Sequence, residues 1–314
     1  MKQRWAAALT VGYILMFFSE FLFVNVYPHF DLLGVFPMWL AYSIEAYIFL
    51  AVVEHFRVRN IWALFLAGAI YGWLLEGVVV QTMYVVFPFQ IAFTGLSWHA
   101  LIDVLIGWYL VRRMLFGGSP FCIFLLATLI GLFWGFWAIW VWQEHEMLSV
   151  GEFTLLAFGT ALPLIPAYWQ LNRLGPFHFN KSELRVLIGL HIFLFVFVEI
   201  AIPYAVLILP PLLAMIFGAL RRHKNSSAPE SIQMIFEGRV QNILYLPLVL
   251  IPTVAVAWYA LFSALGVQIA TNIIVALITV PASVVMFIVA LAKLYRFPPP
   301  NVTTIQLDAQ SRSV

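Results

Sequence analysis

The chain has 314 residues, 64% hydrophobic and 10% charged, with a formal net charge of +2 and a mean hydropathy of +0.98. Soluble domains carry roughly 25% charged residues, so this composition excludes an ordinary soluble globule and points to a polytopic membrane protein. Cys122 is the single cysteine, which excludes intramolecular disulfides and cysteine-rich metal sites.

Apolar runs recur from end to end, each long enough to cross a hydrocarbon core of roughly 30 Å. The alternating pattern of a membrane β-barrel is missing, so the expected fold is an all-α integral membrane helix bundle. In chain order the predicted spans are 5–26, 38–54, 60–87, 97–115, 120–142, 153–171, 184–201, 203–220, 240–263 and 267–294, about ten transmembrane helices. The opening MKQRWAAALTVGYILMFF has the charge and apolarity of a signal peptide, but no small-residue cleavage site leads into a soluble domain. It is read as a retained first span.

This map places all sixteen Lys and Arg on one side, in the terminal regions, alternate connections and the span ends beside them. Cytoplasmic loops carry the excess of basic residues, so both termini are expected in the cytoplasm. The basic residues orient helices and give no reason to invoke nucleic acid. Arg221, Arg222, His223 and Lys224 form the densest cluster, suited to anionic lipid headgroups. Glycosylation sequons at Asn180, Asn225 and Asn301 fall on the same side and are expected to go unused. The membrane expected is the cytoplasmic membrane of a prokaryote.

Residues 1–201 carry the polar groups; 202–296 read as apolar scaffold helices of the same domain, and 297–314 as a polar cytoplasmic tail. Ten spans with both ends inside are compatible with a five-plus-five inverted repeat.

An ionisable side chain in a membrane helix is costly and usually faces a bundle interior or a water-filled cavity. In the third span Gly68, Gly72 and Glu76 recur at i, i+4 and share one face, whose two glycines let another helix approach closely. In the fourth span His99, Asp103 and Gly107 repeat that spacing. The short link between these spans makes them an antiparallel hairpin, so their polar stripes are expected to meet. Glu20 and Glu45 add carboxylates at related depths, while Glu144 and His145 lie at the mouth of the fifth span. Trp73, Trp98, Trp134 and Trp137 are candidates for an aromatic wall against a lipid or isoprenoid.

The His99-x-x-x-Asp103 spacing is similar to one element of the intramembrane CAAX-type proteases over five residues. The paired glutamates of that family are missing, because Gly77 follows Glu76, so no activity carries over. No P-loop, GxSxG elbow, HExxH, Rossmann glycine set or TVGYG filter is present.

Three functions fit these residues. The first is secondary transport or permeation of a small or lipid-like solute, with Glu76 as proton-responsive group and His99 and Asp103 as partners. The second is a membrane-embedded enzyme acting on a lipid or isoprenoid, in which Glu76, His99 and Asp103 serve as acid and base or hold a metal. The third is a non-catalytic assembly subunit. The implied partners are the lipid bilayer and a small apolar or amphipathic ligand; the residues specify no cofactor.

Overall fold

The computed structural model describes residues 2–24, 32–141, 148–225, 232, 236 and 238–296. Helices make up the regular structure, and no strand occurs among the described residues. We number them α1 (Lys2–Met16, continued by a wide turn at Phe17–Phe21), α2 (Leu32–His55), α3 (Ile61–Val79), α4 (Ile91–Gly117) and α5 (Pro120–Trp140). The remainder are α6 (Val150–Leu171), α7 (Lys181–Ala201), α8 (Pro203–Lys224), α9 (Asn242–Ala264) and α10 (Thr271–Arg296).

Nine helices among the described residues, in α2 to α10, are long and apolar enough to cross a membrane. Nine of the ten expected spans are thus matched by helices of that length and apolarity. The remaining helix, α1, opens on Lys2 and Arg4 and is buried along much of its length, with Ala8, Val11, Ile14, Leu15 and Phe17 inaccessible. It packs on α2, α4 and α6, in the interior of the bundle.

The layering follows lipid exposure. In α3 and α4, 83% and 72% of the most apolar window is buried, against 17% in α7 and in α10. Of the two least buried, α10 is also the most hydropathic of all, and the largely buried α4 is among the least. A soluble protein would show the reverse; here the outermost surface is the most apolar, as a hydrocarbon surround requires.

Local chemistry explains how the elements start. Asn60 caps α3 by accepting from Ala63 N–H at 2.9 Å, and Pro120 follows the cap Ser119 at the first turn of α5. The Ser149–Glu152 capping box starts α6, with Glu152 N–H donating to Ser149 Oγ at 3.2 Å and Ser149 N–H to Glu152 Oε2 at 2.8 Å.

Small residues set the helix spacing. A Cβ at Gly68 would lie 3.0 Å from Ala100 Cα, and one at Gly72 would lie 2.6 Å from the Gly95 carbonyl oxygen and 2.7 Å from His99 Cβ. The expected glycine ridge of α3 therefore carries the backbone of α4. Gly131 and Gly135 of α5 do the same for α9, where an added Cβ would lie 2.7 and 2.5 Å from the Ile251 and Ala255 carbonyl oxygens.

The basic residues meet at one end. Arg4 pairs with Glu183 at 3.0 Å, Arg59 Nη2 donates to the His223 carbonyl at 2.5 Å, and Arg222 Nη1 donates to the Tyr295 carbonyl at 3.2 Å. Lys224 Nζ lies 3.4 Å from His55 Nε2, and Lys293 sits 4.1 Å over the Trp62 ring. These contacts gather the basic ends of α1, α3, α7, α8 and α10 together.

Candidate functional site

The polar site is built on wide helical turns. In Phe17–Phe21, Leu75–Val79 and Ile91–Leu110 the backbone bonds run from i to i+5, closed by Leu22 N–H to Phe17 O at 2.9 Å, Val80 N–H to Leu75 O at 2.9 Å and Val111 N–H to Ile106 O. Such turns are rare and concentrate at functional sites. Ser19 and Glu20 lie on the first, Glu76 on the second, and His99 and Asp103 on the third.

The three predicted residues meet directly. His99 Nε2 lies 2.8 Å from Glu76 Oε1, and His99 Nδ1 lies 2.7 Å from Asp103 Oδ2. His99, Asp103 and Glu76 side chains are 2%, 0% and 10% exposed, so the relay is buried from end to end. No Lys or Arg pairs with it among the described residues.

Two tyrosines and a serine complete the network. The Tyr71 hydroxyl donates to Asp103 Oδ2 at 3.3 Å, and Ser19 Oγ lies 3.5 Å from His99 Nδ1. The Tyr42 O–H lies between Ser19 Oγ, at 2.6 Å, and Glu20 Oε1. Glu20 thus joins the relay through Tyr42 and Ser19. A serine nucleophile is not the reading: the imidazole nitrogen nearest Ser19 is the one already held by Asp103, so it has no free base position toward the hydroxyl.

Glu45 takes a different partner. Its Oε1 lies 2.6 Å from His191 Nε2, and His191 Nδ1 donates to the Leu187 carbonyl at 2.8 Å, forming a second buried pair between α2 and α7. Glu45, expected only at a related depth, therefore has His191 as its direct partner.

The tryptophans hold main chain. Indole N–H groups of Trp73, Trp98 and Trp137 donate to the carbonyls of Ile91, Phe18 and Phe23 at 3.0, 3.0 and 2.8 Å. Trp134 is fully buried with its ring centroid 5.3 Å from that of Phe17. None of the four lines either of the two large cavities described below. Glu144 and His145 lie outside the described residues.

Glu76 and Asp103 approach opposite nitrogens of one imidazole, and among the described residues no group of three His, Cys, Asp or Glu side chains could hold a metal ion. What the arrangement can do is pass or hold a proton. Glu76 Oε2 and Asp103 Oδ1 are buried without a hydrogen-bond partner, so each end of the relay keeps one free acceptor.

Beside this site an apolar cavity of about 530 Å³ opens between α2, α3, α7 and α8. Leu74 and Val78, two residues to either side of Glu76, form part of its wall, and His191 forms another part.

Reasoning from sequence missed Tyr42, Tyr71, Ser19 and His191. His191 had a readable signal, an ionisable residue inside the apolar run LHIFLF. The tyrosines had none, because a tyrosine in a membrane span is ordinarily read by its ring. Comparison of the chain with known protein families, curated proteins and solved structures finds no match.

Proposed function

We propose that this multi-pass membrane protein is a proton-coupled secondary transporter of an apolar or amphipathic solute. One observation carries the reading: an unbroken Glu76–His99–Asp103 relay whose Glu76 end is flanked by Leu74 and Val78, which wall an apolar cavity. Protonation of Glu76 removes a charge from that turn, behind the cavity wall, so solute occupancy and proton occupancy become linked through the turn. The clustered basic ends support a cytoplasmic location for that face and for both termini, with α1 as a tenth crossing.

The test is proton flux in proteoliposomes loaded with a pH-sensitive dye and given a fluorescent short-chain lipid analogue under an imposed pH gradient. Gradient-dependent uptake with accompanying proton movement is expected, abolished in Glu76→Gln while the protein remains folded. Equal uptake by wild type and Glu76→Gln would overturn the proton role.

A second reading, acid–base catalysis on a lipid or isoprenoid, draws on the free oxygens Glu76 Oε2 and Asp103 Oδ1. Its signature is chemical conversion of a lipid substrate in detergent, where no gradient exists, with loss of turnover in His99→Gln.

A further inference from the structure

At the basic end a separate cavity of about 560 Å³ lies among α1, α2, α4, the segment after α6 and the start of α9. Its most telling wall residue is Arg112 of α4, which is 6% exposed. Arg112 Nε donates to Asn172 Oδ1 at 2.9 Å, and the guanidinium lies 3.9 Å over the Phe236 ring and 5.3 Å from the Trp108 ring centroid. Those contacts satisfy one N–H of five. No Asp or Glu is among the described residues that line the cavity, so none of them offsets the desolvation of this buried guanidinium.

The neighbouring groups are donors too. Asn172 Nδ2 donates to the Tyr245 oxygen at 3.2 Å, which leaves the Tyr245 O–H proton to be given elsewhere. Trp108 lines the same cavity, and its indole N–H is buried with no acceptor. Arg239 lines it as well and is exposed. Arg173 also lines it, though its charge is engaged with the Trp169 ring at 3.6 Å and with Asn242.

We propose that this cavity binds a phosphate group, with Arg112 and Arg239 supplying charge and Tyr245 supplying a neutral hydrogen bond. Several donors set on different helices need an acceptor with more oxygens than a carboxylate has, and guanidinium forks match phosphate oxygens. The group comes from either a soluble phosphate or the headgroup of an anionic lipid. With no carboxylate among the described wall residues to receive a choline ammonium, an anionic headgroup is preferred over a zwitterionic one. This inference is independent of the Glu76 relay.

The experiment uses full-length protein in neutral detergent, with melting temperature and binding measured against inorganic phosphate, chloride at matched ionic strength, phosphatidylglycerol and phosphatidylcholine. Wild type is expected to be stabilised by inorganic phosphate over chloride, which assigns a soluble ligand, or by phosphatidylglycerol over phosphatidylcholine, which assigns a headgroup. Arg112→Gln should weaken whichever binding occurs by about thirtyfold or more, since it deletes a buried charged partner. Should Arg112→Gln fail to fold, Arg239→Gln and Tyr245→Phe, which leave the buried charge in place, should each weaken it severalfold. The proposal is overturned if neither phosphate source binds in preference to its control, or if binding is unchanged in Arg239→Gln and Tyr245→Phe together.

Discussion

His99 Nε2 sits 2.8 Å from Glu76 Oε1, a contact between α3 and α4 that leaves the other face of the ring to Asp103. One imidazole therefore separates two buried carboxylates that would otherwise repel. Removing it strands both, and breaking a buried charge pair by deleting one partner costs about 3–5 kcal/mol. His99→Ala is expected to lose stability on that scale in thermal unfolding of the detergent-solubilised protein, with His99→Gln recovering part of it. A loss no larger than that of an ordinary surface substitution would show that the three groups are not coupled.

At Gly72 the two helices approach closely. Its added Cβ would meet the Gly95 carbonyl and His99 Cβ, and overpacking of this kind costs about 1–3 kcal/mol. Gly72→Ala should therefore destabilise the protein and displace His99 from Glu76. Gly159 in α6 has nothing within 4 Å of its would-be Cβ, so Gly159→Ala is expected to be neutral or to stabilise by about 0.5–1 kcal/mol through helix propensity. Melting temperatures of the two variants shifting in the same direction would contradict this packing.

The Glu45–His191 pair offers a double-mutant cycle. Either Glu45→Leu or His191→Leu alone leaves one polar group in an apolar contact between α2 and α7, at a cost of about 3–5 kcal/mol. Replacing both removes the desolvation penalty along with the attraction. The double variant is expected to be more stable than either single one; simple additivity of the two losses would rule out direct coupling.

Cys122, exposed near the start of α5, reports on sidedness. It follows Arg112 and Arg113 by a short turn, so it belongs to the basic end and should face the cytoplasm. A membrane-impermeant maleimide should label intact cells poorly and permeabilised cells fully. Complete labelling of intact cells would reverse the orientation.

By itself the sequence determined the membrane class, most of the spans, the α3–α4 hairpin and the stripe that brings Glu76 toward His99 and Asp103. These are local properties: apolar length, the i, i+4 ridge of Gly68 and Gly72, and a short link that forces neighbouring helices antiparallel. Only the tertiary structure decided which carboxylate meets which imidazole nitrogen, that Tyr42, Tyr71 and Ser19 join the relay, and that Trp73, Trp98 and Trp137 spend their N–H groups on main chain. It also sent Glu45 to His191, a partner 146 residues away. Such pairings depend on how each helix is rotated and which distant helix packs beside it. In hydrocarbon that choice rests on close packing and hydrogen bonding summed over many weak contacts, which no spacing along a single span records.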